Sequence, residues 1–516
     1  MAIDDPAQGT DTSDRTPDTT PDPSTPATSA PTPPTPDPAP ASLWGALRPL
    51  VLRLHFYAGL LIAPLLLVAA TTGFLYSLSY QAEKVIYRHE LRAPVGDRTV
   101  PLSDQLDAAR AAHPEGTVTS VRLPSEEGAT TRVLMSTPDS EESKSLAVFV
   151  DPYTAEVRGD LVSYGSSGAL PVRTWLSEVH RHLQLGEPGR VYSELAASWL
   201  WVVALGGLLL WTGRKRASKR ALVVPERGTT GRRRTLSLHG SLGTLAVTGL
   251  VLLSATGLTW SAYAGGNITA IKDQLGSATP VVSATLDSGT GGAGGTGAGT
   301  GGGHEGHESM PGMDDMEDME GMEGTHGTHG QGGTDIGVDL AVVAARQAGL
   351  DGPIAVTLPT EGNGYVVAQI DNQFPVRLDS VSVDPADGMI LDELRFADYP
   401  VLAQLTRIGI DAHMGLFLGL PNQLLLAALA LALILLIVWG YRMWWLRRPT
   451  KERRLSAGRP LPRGAWRKVP LRVLLPLGVA AALTGWFLPL LGISLLVFLA
   501  LDGVLGLRAR ARAART

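Results

Sequence analysis

Four runs of about twenty apolar residues limit what this 516-residue chain can fold into. They are "LHFYAGLLIAPLLLVAATTGFLYS" (54–77), "AASWLWVVALGGLLLWTG" (196–213), "LHGSLGTLAVTGLVLLSATGLTWS" (238–261) and "LLLAALALALILLIVWGYRMWW" (424–445). The hydrocarbon core of a bilayer is about 30 Å thick and takes roughly 20 helical residues to cross. No backbone polar group there can go without an internal partner, which makes each run a helix. A last block, 471–507, is long enough for two short spans with a break near "GWFLP". The expectation is an α-helical membrane protein with a four-helix core and a C-terminal hairpin.

Charge is segregated around these runs. The loop "GRKRASKRALVVPERGTTGRRRT" carries nine Lys/Arg against one Glu, and 442–472 carries eleven against one. The segment 263–420 carries five Lys/Arg against twenty-two Asp/Glu. Lys and Arg are retained on the cytoplasmic side, so the basic loops should lie inside, the segments 78–195 and 263–420 outside, and both termini inside a multi-pass cytoplasmic (plasma) membrane protein. Nothing points to nucleic acid; lipid is the obligatory partner. The chain has no cysteine, which removes disulfides, thiolate metal sites, iron–sulfur clusters and covalent haem attachment.

The sequence repeats itself. His55, Gly59 and the "TG" of Thr72 and Gly73 recur as His239, Gly243, Thr256 and Gly257 at a constant offset of 184. "HRHLQLGEP" from His180 aligns with "HMGLFLGLP" from His413 at an offset of 233, which also carries Trp211 and Arg214 onto Trp444 and Arg447. This alignment selects His180 over His182. Each repeat encloses an extracytoplasmic segment. The first has a helical "LSDQLDAARAAH" (102–113) and strand-like "TVTSVRL", "TRVLMST" and "SLAVFVDPYTAEV"; the second has "VDLAVVAARQAGL" (338–350) and "IAVTLPT", "GYVVAQI" and "SVSVDPADGMI". Each reads as a small α+β module. A repeat of two crossings gives both copies the same orientation, with a pseudo-two-fold along the membrane normal.

The expected organisation is therefore a Pro/Thr-rich cytoplasmic tail (1–46), helix one (47–80), the first module (81–169), a His segment with helix two (170–214) and a basic loop (215–237). Helix three (238–262), the second module (263–400) with a Gly/Met/His-rich insertion at 288–333, and a His segment with helix four (401–446) follow. A second basic loop (447–470), the hairpin (471–507) and a basic tail (508–516) complete the chain. The tail at 1–46 has almost nothing to bury and reads as disordered.

Eighteen residues make about five helical turns and rise about 27 Å, so His55, Gly59 and Gly73 share a face, as do His239, Gly243 and Gly257. The pseudo-two-fold sets His55 opposite His239 at the inner leaflet and His180 opposite His413 at the outer edge. Paired imidazoles suit a planar cofactor between helices, and a b-type haem takes His axial ligands without cysteine. Gly59 and Gly243, one turn from a histidine, leave room for a ring, and Arg190 suits a propionate. His89, His113 and His182 have no twin and read as ordinary interfacial histidines.

These residues resemble the PepSY-associated transmembrane family, which includes inner-membrane siderophore reductases. The resemblance spans roughly 47–447 and is carried by "LHFYAGLLIAP" with "TTGFLYS", "VHRHLQLGEPGR", "LHGSLGTLAVTGLVLLSATGL", "HMGLFLGLP" and the two modules, which look like PepSY domains. It implies a haem-bearing membrane protein passing electrons to ferric iron outside; the expectation is one or two b-type haems, an inner-side donor such as a quinol, and reduction of a metal or ferric-siderophore-like chelate outside. His55, His180, His239 and His413 match the family's histidine motifs. The alternative is a non-enzymatic PepSY membrane protein that binds metal or regulates a peptidase.

The insertion adds a feature of its own. In "GGGHEGHESMPGMDDMEDMEGMEGTHGTHGQGG", Met310, Met313, Met316, Met319 and Met322 are flanked by His304, His307, His326 and His329. Thioethers favour Cu(I) and imidazoles Cu(II), so the segment is a candidate copper site, against the plainer reading of a solvated linker.

Overall fold

The computed structural model describes residues 42–141, 143–165, 167–214, 219–286, 335–447 and 464–515. The N-terminal tail and the Met/His segment 304–329 lie outside the described residues.

In chain order, α1 (Leu43–Ile86) and the short α2 (Arg88–Leu91) lead to α3 (Leu102–Ala112) and strands β1 (Thr117–Arg122), β2 (Thr131–Ser136), β3 (Lys144–Val150) and β4 (Val157–Tyr164). Helix α4 (Pro171–His182) carries His180, and α5 (Glu187–Thr212), α6 (Gly231–Leu258) and α7 (Ala262–Gln274) follow. After α8 (Gly337–Gln347) come β5 (Ile354–Thr357), β6 (Tyr365–Gln369), β7 (Ser380–Val383) and β8 (Ile390–Leu394). Helix α9 (Val401–Met414) carries His413, and α10 (Leu420–Trp445), α11 (Leu471–Phe487) and α12 (Pro489–Ala513) end the chain.

Among the described residues five helices are long and apolar enough to span a membrane: α1, α5, α6, α10 and α12 through Arg512. Helix α1 packs on α5 and α10, and α6 packs on the same two, closing a ring of four. Their shared core includes Leu66, Trp199, Leu250 and Leu436. Pro64 lies inside α1 and has no N–H to offer the carbonyl four residues back. That carbonyl, Leu60 O, instead accepts from Tyr441 Oη of α10 at 3.0 Å, so the proline costs no buried acceptor and fixes a helix contact. Helix α12 docks on α5 and α7, with Trp199 Nε1 donating to Ser494 Oγ at 2.8 Å and Arg53 paired with Asp502.

The motif "LGxP" has a structural reason in both repeats. Gly186 and Gly419 sit at φ 61, ψ −137 and φ 58, ψ −132, a region open only to glycine, and the following proline occupies the first turn of α5 or α10. The two residues turn the chain sharply from the His-bearing helix into the span.

The two modules are not separate. All eight strands form one antiparallel sheet in the order β4-β3-β2-β1-β5-β6-β7-β8. At the seam Val121 faces Val356, with Leu123 N donating to Ile354 O and Leu358 N to Thr119 O, both at 3.0 Å. One core serves both halves, uniting Leu106, Val121 and Val133 with Val356, Val367 and Val383. Asp339 of α8 accepts from Leu102 N (2.6 Å) and Ser103 N (3.0 Å), satisfying otherwise unpaired donors at the start of α3. Each half thus has four strands where three were expected, and pairing at β1–β5 consumes two edges that would otherwise be exposed.

Several boundaries move for physical reasons. Helix α1 starts at Leu43 and runs to Ile86, because its far end is held against α4 by the Glu83–Arg173 pair. Residues 263–274 were expected in the second module. They form α7 against α12 instead, with Asn267 Nδ2 donating to Phe487 O at 2.9 Å, so the module begins later. The basic C-terminal tail is helical to Ala513.

Candidate functional site

The ring of four helices brings the duplicated histidines together in two pairs. The imidazole centroids of His55 and His239 are 6.3 Å apart, and those of His180 and His413 are 6.5 Å apart. Each repeat contributes one histidine to each pair. From His55 to Thr72, which touches the second pair, is seventeen residues of one helix, or roughly 26 Å at 1.5 Å per residue.

In each pair the Nδ1 atoms are held. His55 Nδ1 lies 2.9 Å from Val203 O of α5, and His239 Nδ1 lies 3.0 Å from Leu436 O of α10. A carbonyl only accepts, so both Nδ1 atoms carry the proton and both Nε2 atoms carry the lone pair. His180 Nδ1 lies 2.9 Å from Thr72 Oγ1 and His413 Nδ1 lies 2.8 Å from Thr256 Oγ1. Each hydroxyl donates its hydrogen to its own helix, Thr72 to Val68 O (2.9 Å) and Thr256 to Leu252 O (2.8 Å), so it receives the imidazole proton. With the hydroxyl hydrogen given to the helix, Nδ1 is the protonated nitrogen and Nε2 carries the lone pair.

Glycine is sterically required beside one histidine of each pair, at Gly73 and Gly207. A Cβ at Gly73 would stand 3.3 Å from His180 Cε1, and one at Gly257 would stand 3.5 Å from His413 Cε1. At the other pair, a Cβ at Gly207 would stand 2.9 Å from His55 Cε1, and one at Gly440 would stand 3.9 Å from His239 Cε1. Gly207 and Gly440 lie four residues after Val203 and Leu436, on the turn whose carbonyl each histidine reaches. Gly59 and Gly243 touch no imidazole: Gly59 faces open space, and a Cβ at Gly243 would meet Leu436 at 3.7 Å.

The His180–His413 pair opens on an apolar-walled cavity of about 260 Å³ lined by Leu66, Leu200, Leu250, Leu429 and Trp260 among others. Trp260 stands edge-on to His413 with centroids 5.4 Å apart. Enclosure keeps both imidazoles neutral: burial lowers His180 below its ordinary value and pushes His413 down to about 3, with the neighbouring His180 adding to it. Arg181, Arg190 and Glu194 also line the cavity. Arg190 Nη1 lies 3.3 Å from Glu187, and the buried Glu194 accepts from Tyr263 N (3.0 Å) and Ala264 N (2.9 Å).

The pairs suit a group that brings most of its own ligands. Among the described residues no three His, Cys, Asp or Glu side chains cluster to hold a metal ion, and two imidazoles alone leave a bare ion short of its usual four donors. With a metal–imidazole bond of about 2.0 Å, rings at these spacings could share one metal centre between them. At the His180–His413 pair, oriented imidazoles beside an apolar-walled cavity suit a b-type haem. His89 and His113 stay in the extramembrane part, bonded to Arg158 (3.3 Å) and Glu115 (3.1 Å).

The model of the PepSY-associated TM region matches residues 52–447. The chain belongs to this family. The match takes in all four paired histidines and both halves of the sheet and stops before the C-terminal hairpin. No curated protein matches the chain in sequence. The partners Thr72, Thr256, Gly207 and Gly440 were missed as site residues. Gly207 and Gly440 are related by the same offset of 233 that links His180 to His413, so the signal was present.

Proposed function

We propose that this protein is a haem-bearing transmembrane oxidoreductase that passes electrons outward across the cytoplasmic membrane to an extracytoplasmic metal or ferric-siderophore-like chelate. The observation that carries this reading is the pair of bis-histidine arrangements along one helix bundle, each with its Nδ1 atoms anchored and its Nε2 atoms free to ligate. His55 with His239, and His180 with His413, would each hold one b-type haem. When bound, haem supplies reversible one-electron chemistry.

The chain's own residues do the rest. Val203 O, Leu436 O, Thr72 and Thr256 fix ring orientation and ligand basicity. The apolar walls of the outer cavity exclude water, Gly73 and Gly207 let His180 and His55 lie against the helices, and Gly59 leaves the facing surface open. Arg190 suits a carboxylate at the outer cavity. Positive-inside retention of the basic loops puts the sheet on the outer side, where the acceptor would be reduced. A quinol at the inner side releases two electrons and two protons, and each electron converts one ferric ion to ferrous. The segment 304–329 would add copper capture through His304, His307, Met310, Met313, Met316, Met319, Met322, His326 and His329.

The test is the absorption spectrum of full-length protein purified in detergent from haem-replete cells. The expected result is a reducible bis-histidine b-type spectrum at about two haems per chain, falling to about half in H180A/H413A. A colourless preparation would overturn the reading.

A further inference from the structure

The two histidine pairs differ in what receives the Nδ1 proton. For His55 and His239 it is a peptide carbonyl, at 2.9 and 3.0 Å. For His180 and His413 it is a threonine hydroxyl, at 2.9 and 2.8 Å. A threonine hydroxyl meets the outer imidazole in both repeats and neither inner one, with the Ala69 carbonyl a further backbone partner of His180.

We infer that Thr72 and Thr256 are positioning residues that set the redox level of the His180–His413 site above that of the His55–His239 site. The inference rests on the haem reading proposed above. An acceptor on Nδ1–H pushes electron density into the ring and makes Nε2 a stronger donor, which favours the more highly charged oxidised metal. Amide resonance concentrates negative charge on a carbonyl oxygen, and the peptide dipole is about 3.5 D. A hydroxyl oxygen carries less. Donation by the threonines to Val68 O and Leu252 O strengthens them as acceptors by roughly 10–30%, which narrows the difference without reversing it. The outer imidazoles are therefore the weaker donors, and the electron's outward direction is written into the ligands' partners.

His55 and His239 reach main-chain carbonyls over Gly207 and Gly440, whereas His180 and His413 meet a side chain projecting from α1 or α6.

An optical redox titration of the full-length haem-loaded protein tests this. Two waves are expected, with the higher one lost from H180A/H413A and the lower one lost from H55A/H239A. T72V/T256V removes the acceptor and should move the higher wave further up while the lower wave and the haem-to-protein ratio stay put; T72S/T256S should restore the original position. The single variants T72V and T256V should each move it by about half, which covers the case of a double variant that fails to fold. A higher wave assigned to His55–His239, or threonine-to-valine variants with full haem and unmoved waves, would overturn the inference and leave the haem reading standing. Absence of haem from the wild-type protein would overturn both.

Discussion

Neighbouring glycines on one helix should behave in opposite ways. A Cβ at Gly207 would stand 2.9 Å from His55 Cε1, whereas one at Gly206 would stand 3.7 Å from His55 Cβ. Carbon atoms pack at about 3.5–4.0 Å, so Gly207→Ala must drive the imidazole back by about 0.6–1.1 Å, beyond the ~0.5 Å that a ligand site tolerates. The Nδ1 to Val203 O bond, now 2.9 Å, then stretches past hydrogen-bond range. Losing the partner of a buried donor costs about 1–3 kcal/mol, or about 5- to 150-fold in affinity for a group held by that ring. Gly206→Ala meets only an ordinary contact, and alanine is favoured over glycine inside a helix by about 0.5–1 kcal/mol. The assay is the haem-to-protein ratio of each purified variant, with the wild type alongside. Gly207→Ala should fall to about half, keeping the His180–His413 haem, and Gly206→Ala should match the wild type. Full haem in Gly207→Ala, or equal loss in both, would refute the argument that this glycine exists to admit His55.

The Glu83–Arg173 pair should behave as a buried charge pair. Its side chains are 5% and 8% exposed, and burial with mutual repulsion pushes nearby Arg122 and Arg132 down to about 10 and about 9, so the region is short of negative charge. Glu83→Gln should cost about 3–5 kcal/mol, seen as a lower midpoint in thermal unfolding, with R173M added to it recovering part of the loss. Glu178 accepts from Gln184 (2.6 Å) and pairs with Lys144 (3.1 Å); burial works to raise its pKa, but these partners outweigh it and hold it below 4.5. Its contribution is therefore present above pH 4.5 and lost as pH falls through the lower folded-state value. Thermal melts from pH 6 to 3 should show that loss, with Glu178→Gln flattening it by up to about 1 kcal/mol. Deleting residues 304–329 should weaken copper binding in a competition titration while leaving the haem-to-protein ratio unchanged.

Much of the fold was legible because bilayer physics leaves little freedom. An apolar run of twenty residues can only be a helix, and a repeat at constant offset specifies which helices are equivalent. The break at Leu488, between α11 and α12, was likewise readable from "GWFLP". The union of the two modules was not. Val121 and Val356 pair across 235 residues, and β1 and β5 look like any half-buried strand. Which edge a strand offers, and to what partner, depends on how the helices below place the two halves, and no local pattern encodes that. The extent of α1 to Ile86 failed for a related reason: its last turns are polar and are held by a pairing with α4 that only tertiary packing creates.

The histidines were legible through duplication, and their partners were not, although both were duplicated. His180 and His182 are two residues apart, about 200° around a helix of 3.6 residues per turn, so α4 can turn only one of them toward the bundle. His180 is the one that meets Thr72, while the buried Nδ1 of His182 has no hydrogen-bond partner among the described residues. The repeat picks out His180 because His413 stands at the matching place on α9. Thr72 and Thr256 sat in the same repeated "TG" as Gly73 and Gly257, but a threonine in a span commonly bonds its own helix, and these do. Their second role follows from the lone pair left on an oxygen whose hydrogen is already committed, and it exists only once α4 and α9 have been folded back against α1 and α6. Residue identity at a repeat offset therefore finds the paired histidines, whereas the groups that hold their rings become visible only when each donor and acceptor around the ring has been accounted for.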